Sequence, residues 1–377
     1  MRILYLCTYY HRAMIFRDSM DSLKNLGHSV KAFNAVVKGA KIDNKYKKIM
    51  DDAVIHKECF NKWDRFFYFH KQKKFYNALT ESEDVSRYDI LHSHTLFNGG
   101  YVCYNLKKKF GIPYIVSVRN TDINVFLKIP FLKNVANKIV KEAAGVLFLS
   151  EPYRKEFIDE YVIDKFKSSI TDKSSVIRNG LESFWLENKY QNKNLEHNKK
   201  INVLCVGKID GNKNITTTID ALNILRREGY QVKFTVVGQV VDQKVQQEIT
   251  QSDYVDVIDY IPKEELIKIY RKNDIFIMPS IHESFGRVYA EAMTQGVPVI
   301  YSKGQGFDGI YPDGHVGYSV PSSNPEYIAE CIKKITRNYS TISRNCINEC
   351  DDFDWKRITN QLEAFYVNSL EREGKLI

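Results

Sequence analysis

The chain has 377 residues, 44% of them hydrophobic, and a net charge of +9 with a pI near 8.9. That is enough chain for two α/β domains of ordinary size, while no apolar run approaches the ~20 residues of a membrane span. The seven scattered cysteines form no C-x-x-C pair, which points to a reduced, cytoplasmic protein without a structural metal. The basic balance suits an acidic partner. No nucleic-acid signature is present, so an anionic membrane face is the better candidate.

Residues 2–7 (RILYLC) read as a buried first strand, too short for a signal segment. Residues 16–26 have amphipathic helical spacing ended by Gly27, and residues 28–33 return to a strand. The loop between the first strand and this helix, Thr8-Tyr-Tyr-His-Arg12, contains no glycine. From Asn61 to Leu79 the chain mixes aromatics with Lys71, Lys73 and Lys74. This predicts a helix lying on an anionic membrane, with rings in the interface and lysines on headgroups. Core aromatics beneath a solvated lysine face are the alternative. Residues 107–109 (KKK) and 126–133 (FLKIPFLK) extend the same character.

Residues 88–94 form a strand whose His92 and His94 are expected on opposite faces, as structural histidines. Residues 111–118 give another buried strand, with Arg119-Asn-Thr-Asp122 at its carboxyl end. Residues 143–150 and 176–181 supply the last strands of this half. The polar stretch 185–200 (WLENKYQNKNLEHNKK) is expected to be an interdomain linker.

Residues 201–207 restart the strand pattern and end at Gly207. Lys208 and Lys213 precede a helix over 215–228, a position suited to phosphate, with plain surface charge as the alternative. Strands follow at 231–237 and 255–260. Asp352-Phe-Asp354 matches a D-x-D metal motif, but an N-cap for the last helix explains it. No metal is expected.

The stretch 274–302 (DIFIMPSIHESFGRVYAEAMTQGVPVIYS) carries the most information. Residues 275–278 are a buried strand, 287–295 a helix ended by Gly296, and 297–301 a second strand. Ligands of such sheets sit at the strands' carboxyl ends. Glu283 precedes the helix and Glu291 lies one turn inside it, so both can face one cleft. Phe285-Gly286 lets backbone approach a ligand closely, and the helix N-terminus offers free N–H groups. Carboxylates for sugar hydroxyls beside N–H groups for phosphate suit a nucleotide sugar. A surface helix with solvated glutamates is the alternative.

The run P-S-x-x-E-S-F-G-x-x-x-x-E-A-M-x-x-G-x-P-V-I resembles the E-x7-E signature of the group 1 (family 4) retaining glycosyltransferases, which have the GT-B fold. The resemblance implies two facing Rossmann-like domains, a metal-independent transferase of hexosyltransferase type, and no cofactor, the nucleotide sugar being a substrate. It implies an acceptor-side domain over 1–184, the linker 185–200 and a nucleotide-sugar domain over 201–353. A last helix, 354–377, would pack back on the first domain.

By the same resemblance, Lys208 and Lys213 grip the donor diphosphate, and Glu283 orients the sugar. Glu291 holds the ribose, while Ser284, Phe285, Gly286, Arg287 and Gly207 complete the donor contacts. Two departures concern the first half. The family's glycine pair after the first strand is absent, and Arg119 replaces a histidine that touches the donor sugar. Arg119 cannot act as a base, though it can donate to a diphosphate or an anionic acceptor. Asp122 occupies the family's aspartate position, as a donor contact.

The expected partners are a UDP- or GDP-linked donor and a glycan or lipid-linked acceptor of bacterial-type surface polysaccharide assembly. The expected location is the cytoplasm, peripheral at the inner face of the plasma membrane. A nucleotide-sugar epimerase, a sugar phosphorylase and a non-catalytic nucleotide-sugar-binding subunit remain alternatives on the same architecture.

Overall fold

The computed structural model describes residues 1–42, 50–191, 193–195 and 199–375. They form two compact units, changing from one to the other at Gly180/Leu181 and back at Asp354/Trp355.

The first unit holds a seven-stranded sheet: β1 (Arg2–Cys7), β2 (Ser29–Val37), β3 (Val54–Phe60), β4 (Ile90–Ser93), β5 (Tyr114–Ser117), β6 (Gly145–Phe148) and β7 (Ser174–Val176). Its order is β3-β2-β1-β4-β5-β6-β7, and every pairing is parallel. Along β1, Leu4 and Leu6 enter one core while Ile3, Tyr5 and Cys7 enter the other. Helices cover both faces, which is why this strand is continuously apolar and not alternating.

The helix Trp355–Arg372 belongs to this unit. Its Ile358, Leu362, Phe365 and Tyr366, one stripe of a 3.6-residue helix, join Ile3 and Tyr5 in one core. Gly145 makes room for it, since a Cβ there would lie 2.6 Å from Phe365 Cζ. Asp354 directly precedes this helix, and Asp352 accepts a hydrogen bond from the Tyr311 hydroxyl at 3.0 Å. Residues 376 and 377 of the expected terminal helix lie outside the described residues.

The second unit repeats the architecture with β8 (Lys200–Val206), β9 (Gln231–Val237), β10 (Val255–Ile258), β11 (Ile275–Met278), β12 (Val299–Ser302) and β13 (Gly317–Val320). The order β10-β9-β8-β11-β12-β13 is that of a Rossmann sheet, with its reversal between β8 and β11.

The stretch 185–200 differs from the linker expected. Ser183–Glu187 is helical and Trp185 is buried. The Tyr190 N–H donates to the Thr294 carbonyl. Lys193 Nζ donates to the carbonyls of Tyr270 and Arg271, closing the end of the helix Lys263–Lys272. One tryptophan and a few polar bonds anchor a segment whose composition looks like a linker. Residues 192 and 196–198 of it lie outside the described residues.

Candidate active site

In the second unit, two loops at the carboxyl ends of β8 and β11 are stitched together. Asn212 Nδ2 donates to the His282 carbonyl at 3.0 Å, and Asn212 Oδ1 accepts from the His282 N–H at 3.1 Å. Asn214, in the left-handed region at φ 53°, donates to the Pro279 carbonyl at 3.1 Å. Asp210 accepts from the Lys213 N–H at 3.2 Å and fixes the turn.

These bonds bring Lys213 Nζ to 2.7 Å from Glu283 Oε2, both side chains being largely buried. Gly207 lies beneath, where a Cβ would come within 3.1 Å of Lys213 Cε. Lys208, expected beside Lys213, is exposed and takes no part in the bonds that hold this pair.

Glu283 is also held through its backbone. Its N–H donates to Gln305 Oε1 at 2.9 Å, and its carbonyl accepts from the Gly306 N–H at 2.8 Å. The glycine loop after β12 therefore braces the glutamate loop. Gly306 presses on it so closely that a Cβ would stand 2.3 Å from the Ser284 carbonyl carbon.

Gly286 is the N-cap of the helix Arg287–Thr294, at φ 76° and with no side-chain cap, so the N–H groups of Arg287 and Val288 lack intrahelical partners, while that of Tyr289 donates to the Gly286 carbonyl. The Phe285 ring is buried against Phe353 and Phe307. Only the Phe285 backbone is available to a ligand. Ser284 and Arg287 are half-buried beside it.

Glu291 has a different environment. The residue is half-buried, with its carboxyl turned inward. Burial raises this carboxyl to about 7, against the opposing effects of Arg287 and the Tyr270 hydroxyl. That hydroxyl donates to Glu291 Oε2 at 3.2 Å.

In the first unit, Asp122 is 1% exposed. Its carboxylate accepts the N–H groups of Leu96, Phe97 and Arg119 at 3.0, 3.2 and 2.9 Å. Burial pushes it up to about 6 even so. These bonds hold the start of the Arg119 segment against the β4 loop. Arg119 Nε in turn donates to the His94 carbonyl at 3.1 Å.

The two histidines share a face, contrary to expectation. Their rings stack 4.2 Å apart, because residues two apart in an extended strand point the same way. His92 bonds the Tyr366 hydroxyl and Ser117 Oγ at 2.7 and 2.8 Å. Burial, then Arg119, lowers it to about 3. Burial and His92 likewise hold His94 neutral.

The stretch from Asn61 to Leu79 is not one helix. A 3-10 turn, Lys62–Phe66, precedes the helix Tyr68–Ser82. Phe75 is core, whereas Trp63, Phe66, Phe67 and Phe69 are at least half exposed. Phe69 meets the exposed Phe131 at 6.2 Å, joining two distant segments into one aromatic patch. Lys74 is tied to Asp64 at 2.8 Å and Lys71 to Asn98 at 2.8 Å. Lys62, Arg65, Lys73, Lys128 and Lys133 of the same segments are exposed, and Arg65 lies 4.7 Å over the Phe66 ring. Among the described residues no helix is long and apolar enough to cross a membrane.

Sheets of this order, twice over in one chain, are the GT-B architecture, and the protein is of that class. It superimposes on sucrose-phosphate synthase from Thermosynechococcus elongatus with a TM-score of 0.77 and 19% identity, covering 99% of this chain and 100% of that one. For Anabaena HepE in complex with UDP-glucose the TM-score is 0.69 at 18% identity, covering 97% and 99%. By sequence it is 29% identical over 248 residues to the capsular polysaccharide biosynthesis glycosyltransferase CapM of Staphylococcus aureus, 62% of this chain and 64% of that protein. Residues 17–183 match the model of glycosyltransferase family 4, and residues 187–350 match that of the glycosyl transferases group 1. The chain belongs to the group 1 (family 4) glycosyltransferases.

Proposed function

We propose that this glycosyltransferase is a retaining, metal-independent enzyme of hexosyltransferase type. It moves a sugar from a UDP- or GDP-linked donor to a glycan or lipid-linked acceptor of surface polysaccharide. The observation that carries this reading is the Lys213–Glu283 pair at 2.7 Å, beside a helix N-terminus without a side-chain cap. The UDP-glucose complex of the structurally similar HepE and the capsular role in the name of CapM support the donor and acceptor classes.

Lys213, Lys208 and the N–H groups of 285–287 stabilise the leaving diphosphate, where negative charge grows in the transition state. Glu283, freed from Lys213 as phosphate takes over the ammonium, accepts hydrogen bonds from donor-sugar hydroxyls. Glu291 accepts from the ribose. The acceptor oxygen attacks the anomeric carbon on the face that the diphosphate leaves. The bond to the diphosphate breaks, and a leaving phosphate oxygen takes the acceptor proton. No side chain is assigned as a covalent nucleophile.

The exposed aromatic patch and the exposed cations of the same segments support a cytoplasmic protein that touches an anionic membrane, where a lipid-linked acceptor resides. A screen of UDP-, GDP- and ADP-sugars for binding and slow hydrolysis tests the donor reading. Glu283→Ala that leaves transfer unchanged would sink the role given to Glu283.

A further inference from the structure

Where the carboxyl ends of β4 to β7 meet the helix Trp355–Arg372, the first unit holds a half-open pocket of about 50 Å³. Two guanidinium side chains, Arg119 and Arg178, line it, and no carboxylate does. Both ring nitrogens of His94, the Arg178 Nε and the Trp355 Nε1 are buried there without a hydrogen-bond partner. His94 itself is 4% exposed. Neither arginine forms an ion pair with a carboxylate among the described residues. Among the described residues the Arg119 side chain bonds a carbonyl, that of His94.

A buried polar group left unpaired costs about 1–3 kcal/mol, so several converging on one small space mark the place of a missing partner. Its chemistry follows from the donors. Guanidinium and indole N–H groups only donate, and Asp122, the carboxylate that acts on Arg119, is itself bonded to backbone N–H groups and does not line the pocket. The forked guanidinium matches the oxygens of a phosphate or carboxylate. Phe16, Leu147 and Ile358 form apolar walls, which strengthen a charged contact by excluding water. The space holds one tetrahedral group, and its open side leaves room for a substituent on that group.

We propose that this cavity binds a single phosphate-like oxyanion between Arg119 and Arg178, with His94 and the Trp355 N–H as further donors. The site stands on the first unit alone and does not depend on the donor chemistry proposed above. A free phosphate ion and a phosphate ester on a small acceptor share this chemistry.

The test is a titration of the full-length, isotope-labelled protein with inorganic phosphate, read at the His94 ring resonances, with His94→Gln for assignment. Saturable shifts of those resonances are expected. Arg178→Gln should weaken phosphate binding at least about tenfold. Lys213→Gln, in the other unit, should change it by less than about twofold. Should Arg178→Gln fail to fold, Trp355→Phe keeps an aromatic ring over Gly180 and removes only the N–H, with weaker binding again expected. In a second arm, glucose 6-phosphate binding more tightly than phosphate identifies an esterified ligand, and weaker binding identifies the free ion. His94 signals unmoved by excess phosphate, or Arg178→Gln binding like the parent protein, overturn the proposal.

Discussion

Lys213 and Glu283, 70 residues apart in the chain, form an ion pair at 2.7 Å with side chains only 17% and 14% exposed. The pair neutralises two groups that the proposed chemistry needs separately, and keeps both in place until a donor arrives. Breaking one side leaves a partly buried charge alone. Lys213→Gln and Glu283→Gln should each cost about 1–3 kcal/mol in urea unfolding, and the double variant less than their sum. Strictly additive losses would show that the pair contributes no coupling. Transfer should fall about a hundredfold in Lys213→Gln, through lost stabilisation of the leaving group.

Glu291 gives a pH signature. The unfolded chain releases its proton near 4.5, the folded chain only near 7. Between those values the folded state holds more protons, so stability falls as pH rises. This contribution is complete below 4.5 and lost above 7. Glu291→Gln should gain about 1–3 kcal/mol on the parent protein above neutrality and flatten the slope. Asp122, raised to about 6 by burial, acts in the same sense, whereas His92 and His94, held neutral by burial, add stability as pH rises to 6.5, so the Glu291 contribution is read as the difference between variant and parent. Denaturant melts at about pH 5 and about pH 8 check it, and an unchanged slope contradicts it.

Gly306 tests the brace behind Glu283. A Cβ there meets backbone at 2.3 Å, which no side-chain rotation relieves. Gly306→Ala should destabilise the protein by at least about 2 kcal/mol and weaken donor binding. Normal stability with normal donor affinity would show that the loop gives way freely.

The membrane reading predicts that replacing Trp63, Phe67 and Phe131 together by serine lowers binding to phosphatidylglycerol vesicles by at least about tenfold. Equal flotation of the triple variant would remove the patch from the membrane contact. Activity on a soluble donor alone should stay unchanged, because these rings belong to the first unit and the donor loops to the second.

What was legible in the sequence had strong local patterns. IFIM and VPVIY are unbroken apolar runs, and the helix between them ends at a glycine, so β11 to β12 could be read almost to the residue. β3 could not, because VIHKECF is half exposed and has no apolar run. The helix Tyr339–Glu349 was hidden by its polar composition, YSTISRNCINE.

At the site, the lysine and the glutamates were visible as residue types. Asn212, Asn214 and Gln305 were not, since each acts on backbone groups far away in sequence. The only signal was a cluster of turn formers in DGNKN. Asp122 was visible as an acid, but its burial and its three bonds to backbone N–H groups were not. The misplacement of His94 came from the strand period itself, which puts residues 92 and 94 on one face.

The central claim is transfer from a nucleotide sugar through the Lys213–Glu283 site. The most direct measurement incubates the purified protein with UDP-, GDP- and ADP-sugars and follows the anomeric signal of the released or transferred sugar by NMR. Turnover of one donor with the anomeric configuration retained, and lost in Glu283→Ala, is the result predicted. An inverted product, an epimerised donor released intact, or no turnover of any nucleotide sugar would contradict it.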